Sequence, residues 1–209
     1  MHLHLVTDRG LTRGRDLLAV VRQAVAGGVS VVQLREKKCS TREFIELGRA
    51  LLVELRPQCI PLLINDRVDV AQAVGADGVH LGQEDMPYDQ ARALLGPAAI
   101  IGLSVENLDQ ARAAETLDVD YLGLSPVFAT ATKGDLAAAL GLEGVARIRA
   151  LSRHRLVAIG GIKQENAQAV RAAGADGLAV VSAICSAADP CAAARELTVV
   201  RPTWADAAG

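Results

Sequence analysis

The chain has 209 residues, a formal net charge of −2 and a pI of about 6.1. Its length suits one domain with a sizeable core, and its charge supplies no basic field to attract nucleic acid. With 51% apolar but only 2% aromatic residues, the core must be built from Val, Leu, Ile and Ala, as expected of buried parallel strands.

Short apolar runs predict eight strands in chain order. They begin at Leu3-His4-Leu5-Val6, Ser30-Val31-Val32-Gln33-Leu34, Pro61-Leu62-Leu63-Ile64 and Gly78-Val79-His80-Leu81. Four more begin at Ala99-Ile100-Ile101-Gly102-Leu103, Asp120-Tyr121-Leu122-Gly123-Leu124, Leu156-Val157-Ala158-Ile159 and Gly177-Leu178-Ala179-Val180-Val181. Stretches with helical spacing lie between them, such as Leu17 to Ala26, Phe44 to Leu55 and Asn107 to Leu117. Strands separated by helices imply parallel pairing with helical crossovers. The fold class is therefore α/β: a single-domain (β/α)₈ TIM barrel over residues 1–200, followed by a tail at 201–209. An open doubly wound sheet is the alternative.

A weak repeat, Gly75-Ala76-Asp77-Gly78 and Gly174-Ala175-Asp176-Gly177, marks helix end, turn and strand start. These clusters read as structural turns on the face opposite the functional one. The chain opens directly as a strand, without a basic start and apolar run, and has no apolar stretch of membrane-spanning length. Cys39, Cys59, Cys185 and Cys191 form no CxxC pair and stand at no metal-ligand spacing from a His. A cytoplasmic protein with reduced thiols and no membrane partner is expected; a homo-oligomer is left open.

In such a barrel the functional side chains lie where strands end. After the second strand, alternation puts Gln33, Arg35 and Lys37 on one side, a fork and a mobile point charge for phosphate oxygens. A solvated charge run is the other reading. Asp66 follows the third strand in Asn65-Asp66-Arg67, and Asp85 follows the fourth in Gly82-Gln83-Glu84-Asp85. Each alone can be a helix cap. Together, on adjacent strand ends, they offer two hard oxygen ligands to one opening, which suits Mg²⁺ carrying a phosphorylated substrate.

Ser104 after the fifth strand either donates to a phosphate or caps a helix. The sixth strand leads into the longest irregular segment, Ser125 to about Leu140, with Thr130, Thr132 and Lys133 near its start, and long loops of this kind are often lids. Gly160-Gly161 after the seventh strand and Ser182 after the eighth fit a backbone phosphate site. Two anionic groups and a metal suggest the joining of two phosphorylated small molecules.

Seven segments, taken together, resemble thiamine phosphate synthases: Gln33-Leu34-Arg35-Glu36-Lys37, Ile64-Asn65-Asp66-Arg67, Gly82-Gln83-Glu84-Asp85-Met86-Pro87, Gly102-Leu103-Ser104-Val105, Thr130-Ala131-Thr132-Lys133, Ile159-Gly160-Gly161-Ile162 and Val181-Ser182-Ala183-Ile184. The resemblance runs from about Leu3 to Leu197. It implies a (β/α)₈ transferase of thiamine biosynthesis that couples a hydroxymethylpyrimidine diphosphate to a thiazole phosphate, with Mg²⁺ as cofactor and pyrophosphate released. By the same resemblance, Asp66 and Asp85 are the Mg²⁺ ligands. Gln33, Leu34, Arg35, Glu36, Lys37, Asn65, Ser104 and Lys133 form the pyrimidine diphosphate site, with Arg35, Lys37, Ser104 and Lys133 assisting departure of the diphosphate. Thr130, Ala131, Thr132, Gly161, Val181 and Ser182 form the thiazole phosphate site.

One position departs from the pattern. The family and its close relatives often have a histidine where this chain has Glu106, and the related thiazole tautomerases, the alternative isomerase reading, resemble this group in fold and use that histidine. They commonly lack the Gln-Glu-Asp and Thr-x-Thr-Lys segments, which this chain retains. That favours the synthase and leaves Glu106 with two readings, a solvated helix start or a contact with the site. A catalytically silent phosphate-binding barrel is a third reading, since fold alone excludes no function.

Overall fold

The structure, a computed structural model, describes residues 2–129 and 138–198. Strands β1 (Leu3–Val6), β2 (Val31–Leu34), β3 (Leu62–Asn65), β4 (Gly78–Leu81), β5 (Ile100–Val105), β6 (Tyr121–Leu124), β7 (Leu156–Ile159) and β8 (Gly177–Val180) close into one parallel barrel in sequence order. The closing edge pairs Leu3 with Leu178 and Leu5 with Val180, which rules out the open sheet. The crossovers carry α1 (Leu17–Ala26), α2 (Thr41–Leu55), α3 (Val68–Val74), α4 (Tyr88–Leu95), α5 (Leu108–Ala114), α6 (Gly141–Leu151) and α7 (Gln164–Ala172). After β8 come α8 (Ser182–Cys185) and α9 (Pro190–Thr198). The expected tail at 201–209 lies outside the described residues.

Strand alternation splits the core into two layers. Residues such as Leu5, Val32, Leu34, Ile64, Leu81 and Leu122 point outward and pack under the helices. Val6, Val31, Leu63, Tyr121, Val157 and Ala179 fill the barrel interior. The aromatic poverty of the sequence is visible here, since Phe44 and Tyr121 are the aromatic members of the buried set.

The bottom of the barrel repeats one device four times. The residue before each even-numbered strand donates its N–H to the carbonyl of a residue at the start of the preceding strand. Its side chain accepts the N–H of that same residue. Ser30 does this for Leu3 (side-chain bond 3.1 Å), and Asp77, Asp120 and Asp176 do it for Leu62, Ile101 and Leu156 (2.8 Å each). These N–H groups at the strand starts would otherwise lack a partner at the barrel rim. The Gly-Ala-Asp-Gly repeats are therefore structural, on the face away from the strand C-termini. The four cysteines are unpaired, and no helix among the described residues is long and apolar enough to cross a membrane.

Candidate active site

The strand C-termini and their loops surround a cavity of about 1170 Å³. Gln33, Arg35, Lys37, Asn65, Asp66, Asp85, Ser104, Gly161, Val181 and Ser182 all line it. Alternation along β2 decides which of the five-residue segment takes part. Gln33, Arg35 and Lys37 face the cavity, whereas Leu34 is fully buried in the outer core and Glu36 turns away to Arg9 at 2.9 Å. The side chains of Leu34 and Glu36 do not line the cavity: Leu34 points outward by strand alternation, and Glu36 is engaged by Arg9. Glu36 and Glu43 both engage Arg9, which ties the β1 loop to the loop bearing Arg35 and Lys37. The expectations for Thr130, Ala131, Thr132 and Lys133 fall outside the described residues.

Parallel pairing of β3 with β4, with Asn65 opposite His80, brings Asp66 and Asp85 together. Neither caps a helix. Helix α3 starts after Arg67 and α4 after Pro87, both without a side-chain cap. Asp66 instead adopts the left-handed conformation (φ 64°), a strained position that Asp tolerates better than most residues. Its N–H continues the ladder to the His80 carbonyl at 2.9 Å, and its carboxylate meets Lys37 Nζ at 2.5 Å. Asp85 accepts the Gly82 N–H at 2.6 Å. Burial pushes the Asp85 carboxyl up, and the adjacent Asp66 adds to that push, while the Gly82 N–H and Lys37 oppose it. Burial and the neighbouring Asp66 thus disfavour the negative charge on Asp85, a situation that a divalent cation held by hard oxygens relieves.

Beside them, Gln33 Nε2 donates to Asn65 Oδ1 at 2.7 Å. That bond leaves the Gln33 carbonyl and the Asn65 amide hydrogens as an acceptor and donor pair. Arg35 lies 3.9 Å from Asp8, another cavity residue. Deeper in the barrel, His80 bridges Tyr121 and Ser104: Nδ1 to the Tyr121 hydroxyl is 2.9 Å and Nε2 to Ser104 Oγ is 2.8 Å. Ser104 is therefore no helix cap; Asn107 caps α5. His4 stands edge-on to Tyr121, with ring centroids 5.2 Å apart. Both its ring nitrogens are buried without a hydrogen-bond partner, and burial holds its pKa down to about 3.

Across the cavity, Gly160 and Gly161 take positive φ angles of 103° and 64°. A Cβ on Gly160 would lie 2.8 Å from Pro126 Cβ, and one on Gly161 2.8 Å from Phe128 Cβ. Glycine is required for that close passage. Asn166 Nδ2 holds the Gly161 carbonyl at 2.9 Å.

Sequence reasoning missed His80, Tyr121, Gln83, Asp8 and Lys163, all of which line the cavity. A polar His between Val79 and Leu81 in a buried strand was the available signal. Of the two readings of Glu106, the structure favours contact with the site, since it is half-buried at the cavity wall after β5.

The thiamine monophosphate synthase family model matches residues 3–184. The thiamine-phosphate synthase of Syntrophomonas wolfei is 55% identical over 202 residues, covering 97% of this chain and 95% of its own. That of Albidiferax ferrireducens is 58% identical over 198 residues, covering 94% and 90%. The solved thiamine phosphate pyrophosphorylase of Pyrococcus furiosus superposes with a TM-score of 0.85 at 42% identity, covering 94% and 93%. The 3-hexulose-6-phosphate synthase of Salmonella typhimurium, at 19% identity and a TM-score of 0.70, shares the fold. The chain belongs to the thiamine monophosphate synthase family and is an enzyme of the transferase class.

Proposed function

We propose that the enzyme joins 4-amino-2-methyl-5-(diphosphooxymethyl)pyrimidine to a thiazole phosphate, or its carboxylated form, releasing pyrophosphate and forming thiamine phosphate with Mg²⁺. The observation that carries this reading is the placement of two polar groups at separate parts of one barrel mouth, the first after β2 to β4 and the second after β7 and β8. Arg35, Lys37, Asp66 and Asp85 form the first, and Gly161 and Ser182 the second. Two phosphorylated substrates fit that placement; a hydrolase would need an acid–base pair, and this site is organised around cations and hard oxygens.

Asp66 and Asp85 would hold the ion, since their mutual contact already favours a neutralising charge. When bound, Mg²⁺ draws negative charge from the departing diphosphate. Arg35 grips the same oxygens with a planar fork, and Lys37 adds a mobile charge once it exchanges Asp66 for the ligand. Gln33 and Asn65 read the amine and ring nitrogen of the pyrimidine with their remaining acceptor and donor. The C–O bond between the pyrimidine methylene and the diphosphate breaks, and the electron pair leaves with the diphosphate. The thiazole nitrogen then supplies the pair for the new C–N bond. The thiazole phosphate, held beside Gly161 and Ser182, aims that nitrogen at the methylene carbon, so positioning carries much of the rate.

Incubation of the purified protein with both precursors tests the reading. Thiamine phosphate and pyrophosphate should form in equal amounts with Mg²⁺ and stop forming with a chelator. Absence of product at saturating Mg²⁺ overturns it.

A further inference from the structure

The Tyr121–His80–Ser104 chain has one arrangement of protons that satisfies it. Among the described residues, the Tyr121 hydroxyl finds its hydrogen-bond partner in His80 Nδ1 (2.9 Å), and Ser104 Oγ finds its own in His80 Nε2 (2.8 Å). A neutral imidazole has one N–H and one acceptor nitrogen. If the proton were on Nδ1, it would point at the Tyr121 oxygen and leave the buried phenolic hydrogen without an acceptor. Ser104 would then spend its hydrogen on Nε2. If the proton is on Nε2, the phenol donates to Nδ1, Nε2–H donates to Ser104 Oγ, and every buried donor is used. Buried donors are rarely left unpaired, so the second arrangement wins. Only there does the Ser104 hydrogen stay available to the cavity.

The fold makes room for this chain at the expense of side chains. A Cβ on Gly102 would sit 2.1 Å from Tyr121 Cζ, and one on Gly123 2.8 Å from His80 Cε1. Tyr121 is 1% exposed and its ring stacks on His80 at 5.5 Å, so neither ring can swing away. Burial pushes the phenol pKa up, which keeps its proton in place.

We propose that Tyr121 is a positioning residue whose hydroxyl fixes His80 as the Nε2–H tautomer, so that Ser104 presents its own O–H to the bound substrate. The assignment of Ser104 to a substrate contact rests on the function proposed above; the tautomer does not.

Imidazole nitrogen NMR on ¹⁵N-histidine-labelled protein, with His80 identified by its loss in His80→Gln, reads the tautomer directly. The proton is expected on Nε2 in the wild type, with a mixed or reversed tautomer in Tyr121→Phe. A wild-type proton on Nδ1, or a ring unchanged in Tyr121→Phe, overturns the proposal. Kinetics then separate positioning from packing. Tyr121→Phe should lower kcat/KM about tenfold, and the same substitution in a Ser104→Ala background by less than about twofold, because removing the relay matters only while its last member is present. Equal losses in both backgrounds show a merely structural tyrosine and overturn the relay. If the wild type makes no thiamine phosphate, the proposed function fails, and the NMR result still decides the tautomer.

Discussion

Asp66 and Asp85 touch across the ends of β3 and β4, and their contact helps push the Asp85 carboxyl up. Asp85 is thus held against its own electrostatics, and Asp66 against its backbone preference (φ 64°). Functional sites commonly store such strain.

Removing either charge should therefore separate activity from stability. Asp66→Asn and Asp85→Asn are each expected to lower turnover by about 10²-fold or more, through loss of charge at the cation site. Without metal, the thermal midpoint of Asp85→Asn should equal or exceed that of the wild type, because the charge that burial and Asp66 disfavour is gone. Steady-state kinetics and metal-free melting curves check both halves. A variant with near-normal turnover would reduce the pair to a structural feature.

Arg35→Lys keeps the charge and loses the planar fork. We expect kcat/KM for the diphosphate substrate to fall about tenfold or more, with KM for the thiazole phosphate little changed. Kinetics with each substrate varied in turn measure the difference. Equal effects on both would place Arg35 outside the diphosphate subsite.

His4 should shape the acid limb of stability. Its pKa is held down to about 3 in the fold, against about 6.5 in the unfolded chain. The folded ring stays neutral while the unfolded ring gains a proton, so stability is full above pH 6.5 and lost as pH falls from there towards 3. The slope approaches about 1.4 kcal/mol per pH unit within that window. His4→Leu removes this titration. Its denaturant midpoint should decline less than that of the wild type between neutral pH and mild acid, and parallel declines would contradict a buried neutral His4.

Gly102→Ala places a methyl 2.1 Å from Tyr121 Cζ. The ring cannot retreat into a filled barrel, so a loss of about 1–3 kcal/mol is expected, together with reduced turnover as His80 and Ser104 shift. Chemical denaturation and kinetics on the same preparation check this.

Asp77→Ala acts at the other end of the barrel. It leaves the Leu62 N–H without its 2.8 Å acceptor, at a cost of about 1–3 kcal/mol, and kcat should stay within about twofold. Asp77→Asn keeps an acceptor and should recover most of the stability. Loss of activity in a folded Asp77→Ala protein would break the division between a stabilising face and a catalytic face.

Much of this molecule could be read before any coordinates. Eight apolar runs landed within a residue or two of the eight strands, because buried parallel strands leave a composition signal that does not depend on distant contacts. The apolar spacing from Phe44 to Leu55 lies inside helix α2, which starts at Thr41 behind the Ser40 cap. The polar residues at strand ends were legible for the same reason: a barrel places every strand C-terminus at one mouth, so Asp66 and Asp85 converge once the strand order is known. Asp66, Asp85 and Ser104 also had a capping explanation that sequence alone could not remove. It fell when α3, α4 and α5 were seen to start elsewhere.

What the chain determined by itself was therefore the periodic part, meaning the barrel, its catalytic mouth and the alternation that selects Gln33, Arg35 and Lys37. Only the tertiary structure decided which residues meet across the interior. Ser104 and Tyr121 stand 24 and 41 residues from His80 along the chain, and no local rule links them. Their contact depends on barrel closure, on the stagger of β4, β5 and β6, and on two glycines whose missing side chains leave the space those rings fill.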